Sequence, residues 1–212
     1  MSAPTWATFL VAITVLTMTP GLDTMLVIRN SARGGWKDGM LSSLGICSGL
    51  FVHGTVSAVG ISLLLLQTSW LFGLLKLLGA GYLVWLGVTS WRDALARRTP
   101  LMATAASLPA GRGFNALRSL REGLLSNVLN PKAVIFYMAF LPQFIDPAGS
   151  ALRQSLMLAS CHFAIAMVWQ CLLVLLVGRV QGWLQRPRVY RVFGGVTGSV
   201  MVLLGLSLAV ER

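Results

Sequence analysis

The chain has 212 residues, of which 56% are hydrophobic and only 11% are charged, and its formal net charge is +11. Soluble domains carry about 25% charged residues, so this chain lacks the charge to cover a surface that faces water. The basic residues stand in short clusters between apolar runs, where lipid headgroups attract them, and this pattern excludes nucleic-acid binding as the reason for the net charge. We therefore expect an integral membrane protein.

Six apolar runs are long enough to cross a bilayer as helices, which takes about 20 residues each. They are residues 6–28, 40–66, 70–91, 123–145, 154–178 and 192–210. Only residues 67–69 separate the second run from the third, which predicts a tight helical hairpin. No basic segment or small-residue cleavage site marks the first run as a cleaved signal peptide, so we expect it to stay in the protein.

The basic residues predict the orientation of these six helices. Thirteen of the 17 Lys and Arg residues lie after the first, third and fifth runs. Basic loops stay on the cytoplasmic side of a membrane, so we expect these three loops in the cytoplasm and both termini outside.

The segment 92–121 is the one long connection, and its Ala, Arg, Ser, Pro and Gly content predicts a cytoplasmic loop. It separates a first half, residues 1–91, from a second half, residues 122–212, and each half has three predicted helices. Since three is an odd number, the halves have opposite orientations, as in inverted-repeat transporters. The predicted fold is a single all-α membrane domain of six transmembrane helices in two inverted three-helix repeats.

The first and fourth predicted helices each contain a proline well inside, Pro20 and Pro131. A proline lacks the backbone N–H and deprives the carbonyl four residues earlier of its helical donor. The carbonyls concerned are those of Leu16 and Asn127. Thr19 and Asn130 precede the prolines and are favoured as N-caps, so both helices are predicted to break and restart at proline, with restarted ends that suit an anion. Ordinary proline kinks are the alternative.

Three charged residues lie inside the predicted helices, where a charge costs at least about 2.5–3.5 kcal/mol. Asp23 and Lys132 closely follow the two prolines, so we expect them to line one cavity. Lys132 and the helix starts would bind a carboxylate, and Asp23 would bind an ammonium group or a coupling proton. A structural ion pair between Asp23 and Lys132 is the alternative. Lys76 lies near a helix end and is expected to reach the surface.

The predicted substrate-binding residues are Thr19, Pro20, Gly21, Asp23, Asn127, Asn130, Pro131 and Lys132. The predicted proton-coupling residues are Asp23 and His53. His162 is also able to relay protons, although a single buried histidine more often only packs.

Short motifs between residues 19 and 147 form a specific combination. They are Thr19-Pro20-Gly21 with Asp23, Arg29-Asn30 with Gly34, Gly45-Ile46 with Gly49 and His53, Leu75-Lys76 with Gly79, Tyr82-Leu83 with Leu86-Gly87, Asn127 with Asn130-Pro131-Lys132, and Phe140-Leu141-Pro142-Gln143-Phe144. In this order they resemble the LysE/RhtB family of bacterial amino-acid exporters. The resemblance implies proton-driven efflux of amino acids or their derivatives across the bacterial plasma membrane. Leu22 stands where the family often has a second proline, so the break in the first helix is expected to be less rigid.

Two other kinds of membrane protein share a similar helix plan. A thiol–disulfide electron carrier needs paired interior thiols, but Cys47, Cys161 and Cys171 do not occupy corresponding positions and are expected to be small packing residues. A small-ion or metal exporter is the other alternative, although the apolar runs lack a cluster of carboxylate, His or Cys ligands.

The sequence also lacks the motifs of an enzyme. No HExxH, GxSxG or phosphate-binding glycine loop is present, so we expect no enzyme activity, no metal and no cofactor. The expected partners are a small amino-acid substrate and membrane lipid, and a homo-oligomer is compatible with this plan.

Overall fold

The computed structural model describes residues 3–65, 77, 80–81, 84–85, 87–92, 95, 114–176 and 187–210. Over these residues the chain is helical apart from short turns, and it contains no strand. The elements in chain order are α1 (Ala3–Met18), α2 (Leu22–Leu65), α3 (Ala116–Val128), α4 (Pro131–Ala139), a 3-10 helix (Leu141–Phe144), α5 (Ala151–Leu175) and α6 (Pro187–Val210). The predicted all-α class is confirmed.

Two helices of the described part, within α2 and α5, are long and apolar enough to cross a membrane. The segment from α3 to the 3-10 helix is a third candidate if its two pieces, bent by 51°, count as one span. Most of the predicted helix 70–91 with Lys76, the hairpin at 67–69 and most of the predicted loop 92–121 lie outside the described residues. α3 begins at Ala116, within the segment where the sequence predicts a loop.

α2 is two helical arms joined by a sharp bend at Gly34 and Gly35. Gly35 has φ 73° and ψ −164°, a conformation that is essentially restricted to glycine. Asn30 and Ser42 are 12 residues apart and would be about 18 Å apart in a straight helix. Their side chains instead form a hydrogen bond of 2.7 Å, so the chain turns back on itself here. The bend is shorter than the predicted loop, because the residues on both sides stay helical.

The second arm of α2 packs closely against α3 because small residues face backbone at their contact. A Cβ atom at Gly45 would collide with the Leu120 carbonyl and the Leu124 backbone nitrogen. A Cβ atom at Gly123 would collide with the Ser42 carbonyl. Glycine at both positions therefore allows the two backbones to touch, as is common between helices in lipid.

An aromatic cluster packs α1 against α4 and the 3-10 helix. The ring centroids of Phe136 and Phe140 are 4.8 Å apart, and those of Phe140 and Phe144 are also 4.8 Å apart. Phe9 of α1 adds an edge contact to Phe144 at 5.2 Å. This buried cluster therefore packs the first half of α1 against the 3-10 helix that follows α4.

A second set of contacts joins the bend of α2 to α3 through Glu122. Its carboxylate accepts hydrogen bonds from Arg29 at 2.9 Å, Arg33 at 3.1 Å and Arg118 at 2.7 Å. The buried amide of Asn30 donates to the same carboxylate at 2.9 Å. The Glu122 carboxylate therefore binds three arginines and connects α2 to α3.

Asp38 is a second carboxylate that binds Arg33. Its side chain is fully buried, and Arg33 binds both of its oxygens at 2.8 Å. The Ser119 hydroxyl of α3 also donates to this carboxylate. Such planar two-point pairing is the strongest geometry for an arginine and a carboxylate. We call Arg29, Arg33, Asp38, Arg118 and Glu122 the arginine–carboxylate cluster.

Candidate functional site

A cavity of about 60 Å³ lies between the two places where the helices are interrupted. α1 ends at Met18 before α2 begins at Leu22, and α3 ends at Val128 before α4 begins at Pro131. The polar residues that line the cavity are Thr17, Thr19, Asp23, Thr24, Asn127, Asn130, Lys132, His162 and Gln170.

Lys132 reaches from the first turn of α4 to the end of α1. Its ammonium group donates to the Leu16 carbonyl at 2.6 Å and to the Thr19 carbonyl at 3.0 Å. The Leu16 carbonyl is the one that Pro20 leaves without a helical donor. The lysine thus stabilises the negative end of the α1 dipole. Because an ammonium group has three N–H donors, one donor remains for a ligand.

Asp23 makes the reverse connection, from the first turn of α2 to the end of α3. Its carboxylate accepts from the Ser126 hydroxyl at 2.8 Å, from the Asn127 amide at 2.9 Å and from the Asn130 amide at 3.2 Å. The first turn of a helix is also the favourable end of its dipole for a carboxylate. Three neutral donors therefore stabilise this charge.

The two charges line one cavity without pairing with each other. No ion pair within 4.0 Å joins Asp23 to Lys132, and both residues belong to the described part of the chain. The direct ion pair that the sequence left open is not formed in this structure. Each charge instead binds polar groups of the other half of the chain and keeps some capacity for a further partner.

The two predicted N-caps behave differently. Asn130 caps α4, and its side-chain oxygen accepts from the Lys132 backbone N–H at 3.1 Å, as its position predicts. The prediction for Thr19 is wrong. Its hydroxyl donates back to the Val15 carbonyl at 2.6 Å, and α2 begins only at Leu22. A threonine at a helix end can bond the carbonyl four residues earlier in place of capping the next helix.

His53 binds the end of α3, at the interruption between α3 and α4, but it does not line the cavity. Its Nε2 lies 3.0 Å from the Asn127 carbonyl, which Pro131 leaves without a helical donor. Because a carbonyl only accepts, this nitrogen must carry a proton. Pro20 and Pro131 are also outside the cavity lining, whereas the other predicted substrate-binding residues line it.

α5 provides one wall of the cavity, which the sequence did not predict, although it named His162 as able to relay protons. His162, Ala166 and Gln170 recur every four residues and therefore share one face of this helix. Gln170 is 4% exposed, and its side-chain oxygen has no hydrogen-bond partner among the described residues. The sequence feature that could have indicated this wall is the pair His162 and Gln170, two polar residues eight positions apart in an apolar helix. Polar groups in lipid-spanning helices tend to face the protein interior.

Comparison with known proteins agrees with the motif resemblance. The LysE type translocator family matches residues 14–212. The homoserine/homoserine lactone efflux protein of Salmonella typhimurium is 30% identical over 207 residues, which are 98% of this chain and 97% of that protein. The threonine efflux protein of Escherichia coli is 28% identical over 203 residues, 93% of this chain and 94% of that protein.

An uncharacterised membrane protein of Bacillus subtilis is 32% identical over 193 residues, 91% of this chain and 92% of that protein. No solved structure matches the chain. The family match covers almost the whole sequence, and the resemblance inferred from the motifs is confirmed. The chain is a membrane protein that belongs to the LysE type translocator family.

Proposed function

We propose that the chain is a secondary transporter that exports a small neutral amino acid, or a derivative of one, across the bacterial plasma membrane in exchange for protons. The observation that carries the proposal is the unpaired placement of Asp23 and Lys132 on one cavity. One anion and one cation complement a zwitterion whose side chain has no charge. The efflux activities named for two relatives support an amino acid, and homoserine and threonine are the first substrates to test.

The hydrogen-bonding capacity that remains in the cavity fits such a ligand. The third N–H of Lys132 would bind the substrate carboxylate, and a free lone pair of Asp23 would accept from the substrate ammonium group. The unpaired oxygen of Gln170 would accept from a side-chain hydroxyl. Buried acceptors without partners are costly, so a ligand that donates to this oxygen gains affinity.

The proposed architecture has six spans in two inverted repeats, with interruptions at Pro20 and Pro131 and both termini outside. The reciprocal binding of Asp23 and Lys132 to opposite halves supports this plan, because inverted repeats place equivalent groups on both sides of a midplane site. Rocking of the halves around the cavity would open it to each side in turn. The arginine–carboxylate cluster would lie on the cytoplasmic side, where the basic loops are expected.

No observation favours the alternative transporters. Cys47, Cys161 and Cys171 are free thiols, and Cys47 is buried. Membership in a translocator family favours transport over enzyme activity.

Growth and efflux assays test the proposal. We expect cells that overproduce the protein to tolerate inhibitory concentrations of homoserine and threonine, and to lose these amino acids faster after loading with labelled substrate. We expect Asp23→Asn and Lys132→Ala each to abolish the added efflux at unchanged membrane expression. Matched controls are Asp146→Asn and Lys37→Ala, which alter exposed charges outside the cavity and should leave efflux unchanged.

Two results would reject the proposal. One is a lack of protection against every amino acid and analogue that is screened. The other is normal efflux by both cavity variants, which would show that the two charges do not bind the substrate.

A further inference from the structure

His162 is a buried histidine of the cavity wall that substrate binding, as described above, does not use. It is 4% exposed. Its Nε2 lies 3.0 Å from the Thr17 hydroxyl of α1, and its Nδ1 lies 3.0 Å from the Tyr137 hydroxyl of α4. The rings of His162 and Tyr137 stack with centroids 5.8 Å apart and planes 10° from parallel. Three helices therefore meet at one imidazole.

Both partners of this imidazole are hydroxyl groups, and a hydroxyl either donates or accepts a hydrogen bond. Neutral His162 bonds both hydroxyls in either tautomer. Protonated His162 donates to both, after the hydroxyl hydrogens of Thr17 and Tyr137 rotate. Each ring nitrogen therefore keeps a hydrogen bond to a hydroxyl oxygen in both charge states.

His53 has a different kind of partner. Its Nε2 faces the Asn127 carbonyl, which accepts but never donates, so this nitrogen keeps its proton in every state. Loss of the bond would leave the carbonyl at the α3 interruption without its side-chain donor. The two histidines therefore differ in place: His53 binds a helix end outside the cavity, whereas His162 lines the cavity that Asp23 and Lys132 share.

The charged and titratable groups around His162 come from the helices that pack near it. Lys132 of α4 and Asp23 of α2 line the same cavity, and Tyr137 lies between the rings of His162 and His53, with centroids of Tyr137 and His53 5.5 Å apart. α1 contains no charged residue. A positive charge on His162 would share this small cavity with Lys132 and with a substrate ammonium group. Like charges in one small cavity repel each other, so protonation and substrate binding would oppose each other, which is the condition for exchange.

We propose that His162 is the residue that carries the coupling proton, with Thr17 and Tyr137 as its positioning partners. An imidazole nitrogen takes a proton from the outer side when the cavity is empty, so one N–H bond forms. The same bond breaks when the proton leaves to the cytoplasmic side, before the next amino acid binds. This inference rests on the proposed function and replaces the expectation that His53 carries the proton.

The test separates coupled export from exchange in purified protein reconstituted in liposomes. Movement of labelled threonine or homoserine driven by a pH gradient needs a proton to bind and leave. Exchange of labelled for unlabelled amino acid, at equal pH on both sides, needs only substrate to bind and cross. We expect His162→Gln to lose gradient-driven movement to the level of empty liposomes and to keep exchange with little dependence on pH. We expect His53→Gln, the matched control, to keep gradient-driven movement.

A second variant addresses the hydrogen bond on Nδ1. We expect Tyr137→Phe to shift the pH midpoint of gradient-driven movement while exchange continues, because one imidazole nitrogen loses its partner. A midpoint that does not move would contradict the positioning role of Tyr137.

The possible failures are distinguishable. Wild-type protein that moves none of the amino acids from the growth screen would reject the proposed function and this inference together. If the wild type is active, gradient-driven movement by His162→Gln would overturn only the assignment to His162. Loss of exchange together with gradient-driven movement would also overturn it, because His162 would then be needed for the fold or for substrate binding.

Discussion

Glu122 is expected to be a major stabilising residue of the fold, although it lies outside the cavity. Four side chains donate to its carboxylate: Arg29, Arg33, Arg118 and Asn30. These contacts join the bend of α2 to α3 and therefore connect the two halves of the chain. The substitution Glu122→Gln removes the negative charge and keeps the size and shape of the side chain.

The magnitude follows from the exposure of the partners. The Arg33 side chain is 13% exposed and Asn30 is fully buried, and each hydrogen bond to a charged group in such a place contributes about 1.5–3 kcal/mol. The Arg29 and Arg118 side chains are 34% and 38% exposed, and screened pairs of this kind contribute about 0–1 kcal/mol. The glutamine keeps one oxygen acceptor, so we expect a net loss of about 2–4 kcal/mol.

Thermal unfolding in detergent measures the effect. For a chain of this size we expect a fall of roughly 4–16 °C in the midpoint temperature. Asp146→Asn is the matched control, since it neutralises an exposed carboxylate outside the cluster and should change the midpoint little. If Glu122→Gln and Asp146→Asn lowered the midpoint equally, the cluster would not have the stabilising role derived from its contacts.

Two further substitutions test separate parts of the structure. We expect Gly45→Ala to lower the yield of folded protein strongly, because its Cβ would collide with the backbone of α3. The yield is measured by size-exclusion chromatography of protein extracted from membranes in detergent. Gly60→Ala, where no atom lies within 4 Å of the added Cβ, should express normally, and equal yields would contradict the packing described here. We expect Gln170→Leu to weaken efflux of threonine relative to alanine, because it removes the acceptor for a hydroxyl group. An unchanged ratio of the two efflux rates would exclude this contact.

The positions of Asp23 and Lys132 could be predicted from the sequence because charges are costly in apolar helices and these two closely follow the prolines. Their partners could not be predicted. Lys132 binds carbonyls at the end of α1, and Asp23 binds side chains of α3. Sequence reasoning counts charges, whereas the donors and acceptors at an interrupted helix end depend on how the two halves pack.

The bend of α2 illustrates a second limit of sequence reasoning. Hydropathy places a loop between the first two apolar runs because Arg29, Arg33 and Lys37 are charged. In the structure Arg29 and Arg33 remain helical, and carboxylates satisfy their charges. Hydropathy detects where a helix leaves the apolar part of the membrane, but not where the helix ends.

A protection experiment at Thr24 tests most directly whether the cavity between the interruptions binds the exported amino acid. Thr24 is 5% exposed and lines the cavity, so a Thr24→Cys substitution in protein without other cysteines places one thiol there. We expect a water-soluble thiol reagent to label it, the exported amino acid to slow the labelling, and Lys132→Ala to remove this protection. A thiol that resists the reagent, or labelling that proceeds equally fast with saturating substrate, would contradict a binding cavity at this place.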